Sequence, residues 1–179
     1  PFSAIDAAAL VGNEHDLDKP FIHHQNRLYT QRYFKYETQV LQYIQQAIQL
    51  NATAIPNQIS ISKINTLFSQ EPNETNWQAI AAINALLQSF AIITGGPGTG
   101  KTTTIAKLLH LLYIQNPDIR VAIAAPTGKA SARMSESLQK AANSFDENTQ
   151  AFFKTLVPNT IHRLLGYIPK SIYYKHNNA

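Results

Sequence analysis

Residues 95–102 read Gly-Gly-Pro-Gly-Thr-Gly-Lys-Thr, between a short apolar run at 90–94 and a stretch of helical periodicity at 100–115. This fits G-x-x-x-x-G-K-[ST] at every fixed position and in the strand-to-helix context the pattern requires. Glycines at this density let successive backbone N–H groups turn inward around an anion, and the following helix adds its positive N-terminal end. Gly95, Gly96, Pro97, Gly98, Thr99 and Gly100 then form a phosphate cradle. Lys101 reaches the outer phosphates of a nucleotide, and the Thr102 hydroxyl is placed to ligate its Mg²⁺. Thr103 and Thr104 either add phosphate contacts or fill the first helical turn. A bare glycine-rich turn is the ligand-free alternative for the whole segment.

The surrounding pattern gives an α/β fold. Helical stretches at 75–88, 100–115 and 128–142 alternate with apolar runs at 90–94 and 120–125, the latter read as strands buried on both faces. Strand and helix alternating at this spacing imply a parallel sheet with right-handed crossovers, here a phosphate-loop (P-loop) NTPase sheet. Before it, alternation at 28–34 reads as a strand, and 36–50 as a helix with Val40, Leu41, Ile44, Ala47 and Ile48 on one face. The polar stretch 69–75 reads as a linker, giving a small, mostly helical amino-terminal domain at 1–68 and a nucleotide-binding domain at 76–179.

Charge is uneven along this chain. Residues 1–75 carry five basic and seven acidic side chains, whereas 76–179 carry ten and four. The second part attracts polyanions, unless its cations merely solvate the surface. There is no cysteine, which excludes disulfides and thiolate metal sites. No apolar run approaches the roughly 18 residues of a membrane span, so no membrane association is expected, and a soluble, cytoplasmic protein is. A first residue that is proline rather than methionine suggests a piece of a longer chain.

Outside the loop, Gln78 precedes Lys101 on the helix that leads into the loop strand, next to Trp77. Its amide pairs a donor with an acceptor and suits an adenine edge, although on spacing alone it reads as an exposed helical glutamine. At 125–133, Thr127, Gly128, Lys129, Ser131 and Arg133 gather at the carboxyl end of the second strand, where open α/β sheets bind ligands. Thr127 and the adjacent helix N-terminus suit a phosphate of a DNA strand, with Lys129 nearby, or else form an ordinary strand-to-helix turn. In 160–166, Thr160 reads as the cap and Gly166 as the stop of a short helix. His162 and Arg163 on it are candidates for nucleic-acid phosphates, a lone histidine beside apolar residues being more often structural. His23 and His24, near Asp16 and Asp18, form no metal-ligand pattern and read as loop. Asp146-Glu147 is the one adjacent acidic pair, and no buried strand precedes it, so it does not qualify as the carboxylate that holds Mg²⁺ and the attacking water in such ATPases.

Taken together, Trp77-Gln78, the loop at 95–104, APTGKASARMSESL at 125–138, TIHRLLG at 160–166 and NRLYTQRYFKYE at 26–37 resemble the RecD family, alpha subunits of exodeoxyribonuclease V, the RecBCD complex. The resemblance implies an incomplete RecA-like motor domain of a superfamily 1 helicase with 5′→3′ polarity, acting on double-strand DNA ends in recombinational repair. It implies ATP and Mg²⁺ as cofactors, with Gln78 on adenine and 95–102 on the phosphates. It implies single-stranded DNA on Thr127, Gly128 and Lys129, RecB and RecC homologues as partners, and RecC docking through residues 1–68. In such chains the acidic Walker B strand follows shortly after the point reached at Ala179, so residues 1–179 alone are expected to bind nucleotide without turning it over. A stand-alone or conjugative-relaxase-type helicase, and a nonenzymatic nucleotide-binding scaffold, are the alternatives.

Overall fold

The computed structural model describes residues 7–16, 18–49, 61–68, 75–171 and 173–176. They fall into two compact units, residues 1–51 and 52–179. The elements of the first are α1 (Ala7–Leu10), β1 (Val11–Gly12), β2 (Phe21–His24), β3 (Arg27–Thr30) and α2 (Gln31–Gln49). β2 lies between parallel β1 and antiparallel β3. Gln25 and Asn26, at φ 49° and 61°, make the two-residue hairpin turn, a conformation whose twist matches that of the flanking strands.

His23 and His24 are therefore strand residues rather than loop. Ile22, which precedes them on β2, is fully buried, and that burial fixes the register. The alternation at 28–34 ends early as a strand. Pairing stops at Phe21 opposite Thr30, because Pro20 has no N–H to extend the ladder, and Gln31 instead donates to the Pro20 carbonyl as α2 begins. On α2, Ala47 is buried while Val40, Leu41 and Ile48 are more than half exposed.

The second unit contains α3 (Ile61–Leu67), α4 (Trp77–Leu87), α5 (Lys101–Gln115), β4 (Ala124–Ala125), α6 (Gly128–Ala142), α7 (Glu147–Thr155), β5 (Asn159–Thr160) and α8 (Ile161–Leu164). α5 is its central helix. Ala106 and Leu109 pack with Leu138, Ala142, Phe153 and Leu156 on one side, and Leu111 packs with Ile64, Phe68 and Ala82 on the other. A helix that buries two faces is apolar nearly all round, as the run from Ile105 to Ile114 is. Each fully buried large side chain here contributes ~1.5–3 kcal/mol. The Lys107 ammonium also lies 4.6 Å from the Phe68 ring centroid, and burial lowers its pKa.

Two expectations change. The division between units falls after Asn51, earlier than the linker expected at 69–75, because Ile64 and Phe68 bury against α4 and α5. Residues 51–60 and 69–74, including most of that linker, lie outside the described residues. The sheet is also smaller than the apolar runs suggest. β4 is confined to Ala124–Ala125 and pairs in parallel with β5, with one further bond from Asn159 N–H to the Ile123 carbonyl. Residues 91–94 join no ladder, and Ile92 is 76% exposed. An apolar run becomes a buried strand only when partner strands flank it, and none does so among the described residues. Among the described residues, no helix is long and apolar enough to cross a membrane.

Candidate nucleotide-binding site

The loop turns on two left-handed glycines. Gly98 has φ 77° and Gly100 φ 78°, a region costly for any residue with a Cβ. At Gly98 a side chain would meet nothing within 4 Å, so conformation alone demands glycine there. At Gly100 space matters too, since a Cβ would lie 2.5 Å from the Gln78 Nε2. The Thr99 hydroxyl donates to the Gly96 carbonyl at 3.0 Å and closes the turn.

Gly100 is also the cap of α5, and it offers no side chain to the helix. The first N–H bonded along the helix is that of Thr104, to the Gly100 carbonyl at 2.9 Å. The amides of Lys101, Thr102 and Thr103 precede it and have no carbonyl of the helix to bond. Of helices α4 to α8, the other four each have a side-chain cap: Asn76, Thr127, Asp146 and Thr160. Three open amides, the positive helix end and a nearby ammonium are what a phosphate needs.

Lys101 Nζ donates to the carbonyls of Gly95 and Gly96 at 2.8 and 2.6 Å. Its ammonium thus sits over the loop it is expected to serve. Gln78 lies in the first turn of α4, after the Asn76 cap, and its Nε2 donates to the Thr99 carbonyl at 3.3 Å. Among the hydroxyls, Thr104 is buried and donates to the Gly100 carbonyl at 3.1 Å, which makes it a packing residue, whereas Thr103 is exposed.

The expected nucleic-acid residues gather at the carboxyl ends of two adjacent parallel strands. Thr127, Gly128 and Lys129 follow β4, His162 and Arg163 follow β5, and Ala125 pairs with Thr160. All five are exposed. The Thr127 hydroxyl accepts from the Ala130 N–H at 3.2 Å, so it is engaged as the α6 cap. Thr160 likewise caps α8, and Gly166, at φ 72°, ends the turn that follows. Ser131 faces inward and donates to the Pro158 carbonyl at 2.7 Å, tying α6 to the segment before β5. A cavity of about 370 Å³ is lined by Thr102 together with Thr127, Lys129 and Arg133. The end of the phosphate loop and the basic start of α6 therefore share a wall.

Asp146 accepts from the Thr149 N–H at 3.0 Å and caps α7, a structural role for the first member of the acidic pair at 146–147. Sequence spacing gave no sign of the polar chain built on it. The Thr149 hydroxyl donates to Asp146 Oδ2 at 2.8 Å and lies 3.0 Å from His110 Nδ1. Those bonds, the backbone one first, hold the Asp146 carboxyl below its ordinary value. Burial lowers His110, with Asp146 opposing and Lys63 adding to the shift.

The AAA domain family matches residues 78–179. The RecBCD enzyme subunit RecD of Haemophilus influenzae is 34% identical over 158 residues, covering 84% of this chain and 25% of that protein. RecD of Mycobacterium tuberculosis (strain H37Rv) is 38% identical over 159 residues, 85% of this chain and 26% of that protein. The ATP-dependent RecD2 DNA helicase of Deinococcus radiodurans is 35% identical over 89 residues, 50% of this chain and 10% of that protein. The chain thus spans about a quarter of the length of the curated RecD relatives it matches. It belongs to the AAA domain family and matches RecD subunits of RecBCD enzymes over most of its length.

Proposed function

We propose that this chain is the ATP-binding part of a DNA helicase of the RecD type, working 5′→3′ at double-strand ends with RecB and RecC homologues in cytoplasmic recombinational repair. The observation that carries the reading is the uncapped start of α5 under a glycine loop with Lys101 beside it. The donor set fits a nucleotide with Mg²⁺. Backbone amides of 98–103 hold the phosphates, Lys101 exchanges the Gly95 and Gly96 carbonyls for phosphate oxygens, and Thr102 holds the metal. Gln78, already tethered to the loop, reads the adenine edge. Bound ATP supplies the phosphoanhydride whose cleavage drives movement along a strand.

Thr127, Gly128, Lys129, His162 and Arg163 hold single-stranded DNA through its phosphates. The cavity wall shared by Thr102, Lys129 and Arg133 gives the two ligands a common border. Residues 1–68 serve as the surface for the RecC homologue. Residues 1–179 bind nucleotide without efficient turnover, since in their adjacent acidic pair Asp146 is committed to capping α7 and no buried strand precedes it.

Calorimetry with Mg²⁺-ATP tests the reading. Lys101→Ala removes a charge-assisted contact of ~1.5–3 kcal/mol, a loss of about 10- to 100-fold in affinity. Unchanged affinity in the variant refutes the assignment. A stand-alone helicase is the second reading, favoured by the RecD2 match. Recovery of RecB and RecC homologues with the protein from cells decides against it.

A further inference from the structure

The chain has one tryptophan, and it is not in the core. Trp77 is the first residue of α4 and is 74% exposed. α4 does not need it for its seat. Ala79, Ala82, Ile83 and Leu86 supply the face that packs with Ile64, Phe68 and Leu111. An indole left in water forgoes one of the largest burial gains any side chain offers, so an exposed one is informative where a ligand site is close.

The site is close. The next residue, Gln78, reaches the Thr99 carbonyl, and its amide nitrogen lies 2.5 Å from where a Gly100 Cβ would be. The first turn of α4 is thereby fastened to the phosphate loop. It presents, on consecutive residues, an amide suited to the edge of a heterocycle and a bare aromatic surface suited to its face. A nucleotide held by its phosphates at 95–102 must send its base outward from the loop, past whatever flanks it.

We propose that Trp77 stacks on the base of the bound nucleotide while Gln78 bonds to the base edge, making Trp77 a base-binding residue of this site. The proposal rests on the nucleotide reading of the loop. Base–aromatic stacking has no hydrogen-bond requirement of its own, so Trp77 supplies affinity for a base and leaves the choice among bases to Gln78.

The test compares ATP with inorganic tripolyphosphate, which carries the charge but no base. With Trp77→Ala, affinity for ATP should fall about tenfold or more while that for tripolyphosphate stays the same, and Trp77→Phe should retain most of the ATP affinity. Tryptophan emission should be quenched by ATP but not by tripolyphosphate, with no such change in Trp77→Phe. Unchanged ATP affinity in Trp77→Ala overturns the proposal, as does an equal loss for both ligands, which marks damage to the loop instead. If the wild-type protein binds tripolyphosphate and ATP equally well, stacking falls while the phosphate loop stands. If it binds neither, the nucleotide reading falls and takes this one with it.

Discussion

Thr149→Val isolates one hydroxyl that joins α5 to α7. Thr149 is 1% exposed, and a hydroxyl has one proton to donate. That proton goes to Asp146 Oδ2 at 2.8 Å, so His110 Nδ1, 3.0 Å away, must be the donor in the second bond. The neutral ring is thus held with its proton on Nδ1 while it stacks on Phe145 at 4.3 Å between centroids and 6° between planes. Valine keeps the shape and removes both bonds. The bond to the carboxylate belongs to the ~1.5–3 kcal/mol class and the other to the ~0.5–1.5 class. Asp146 is exposed and keeps its bond from the Thr149 N–H, so water recovers part of the first loss. The net cost is about 2 kcal/mol, a fall in Tm of about 4–8 °C for a chain of this size. Urea unfolding of wild type, Thr149→Val and Thr149→Ser reads it directly, with serine keeping the bonds. In a double-mutant cycle with His110→Phe, which preserves stacking, the combined loss should be smaller than the sum by ~0.5–1.5 kcal/mol. A Thr149→Val protein within about 0.5 kcal/mol of wild type, or strict additivity with His110→Phe, refutes the polar chain.

Acidification and the two left-handed glycines give three further outcomes. Stability should decline on acidification in two stages. His110, with a folded pKa below 6.5, binds its proton more readily when unfolded, so stability is lost as pH drops below that value. Asp146, also lowered, adds its loss below about pH 3.8, and this second stage should shrink in Thr149→Val when unfolding is followed across pH, whereas the first, caused by burial, should remain. Gly98→Ala should cost ~1–2 kcal/mol through its positive φ alone, measured by denaturation, with asparagine tolerated better than alanine. Gly100→Ala should add to the same strain the displacement of Gln78, and ATP binding by calorimetry should weaken more than in Gln78→Ala alone.

What could be read from the sequence was what short stretches of chain decide. The helices at 100–115 and 128–142 were legible from apolar spacing, and Thr160 and Gly166 from their own preferences at helix ends. What escaped was decided by partners far along the chain. The run at 90–94 carries the composition of a buried strand, yet strand formation depends on neighbours no local pattern reports, and Ile92 stays exposed. The first unit hid its strand at His23 and His24 because histidines seldom mark one; the signal was Ile22, whose burial needs a sheet around it. Residues 61–68 looked like the tail of the first domain, but Phe68 takes its place from α5, some forty positions on. His110 and Thr149 are likewise 39 residues apart, and neither belongs to a recognisable motif.

The loop was legible for a different reason, and the caps show what it is. Asn76, Thr127, Asp146 and Thr160 each spend a side-chain oxygen on a helix amide, which occupies one of the donors an anion would use at that end. At α5 the same position must be left-handed, and glycine both permits that φ and withholds an oxygen. One residue type therefore satisfies the backbone and leaves the amides open. Thr127 shows the opposite choice one helix later, where β4 ends in a capped turn and Lys129 and Arg133 line the cavity beside it. The starts of α5 and α6 thus offer an anion different groups, the first open backbone amides and the second side-chain cations. Backbone amides fix a phosphate's position; long cations tolerate its movement. On the proposed reading, gripping a nucleotide while a strand slides past needs that division, and Gly100 and Thr127 differ in the way it requires.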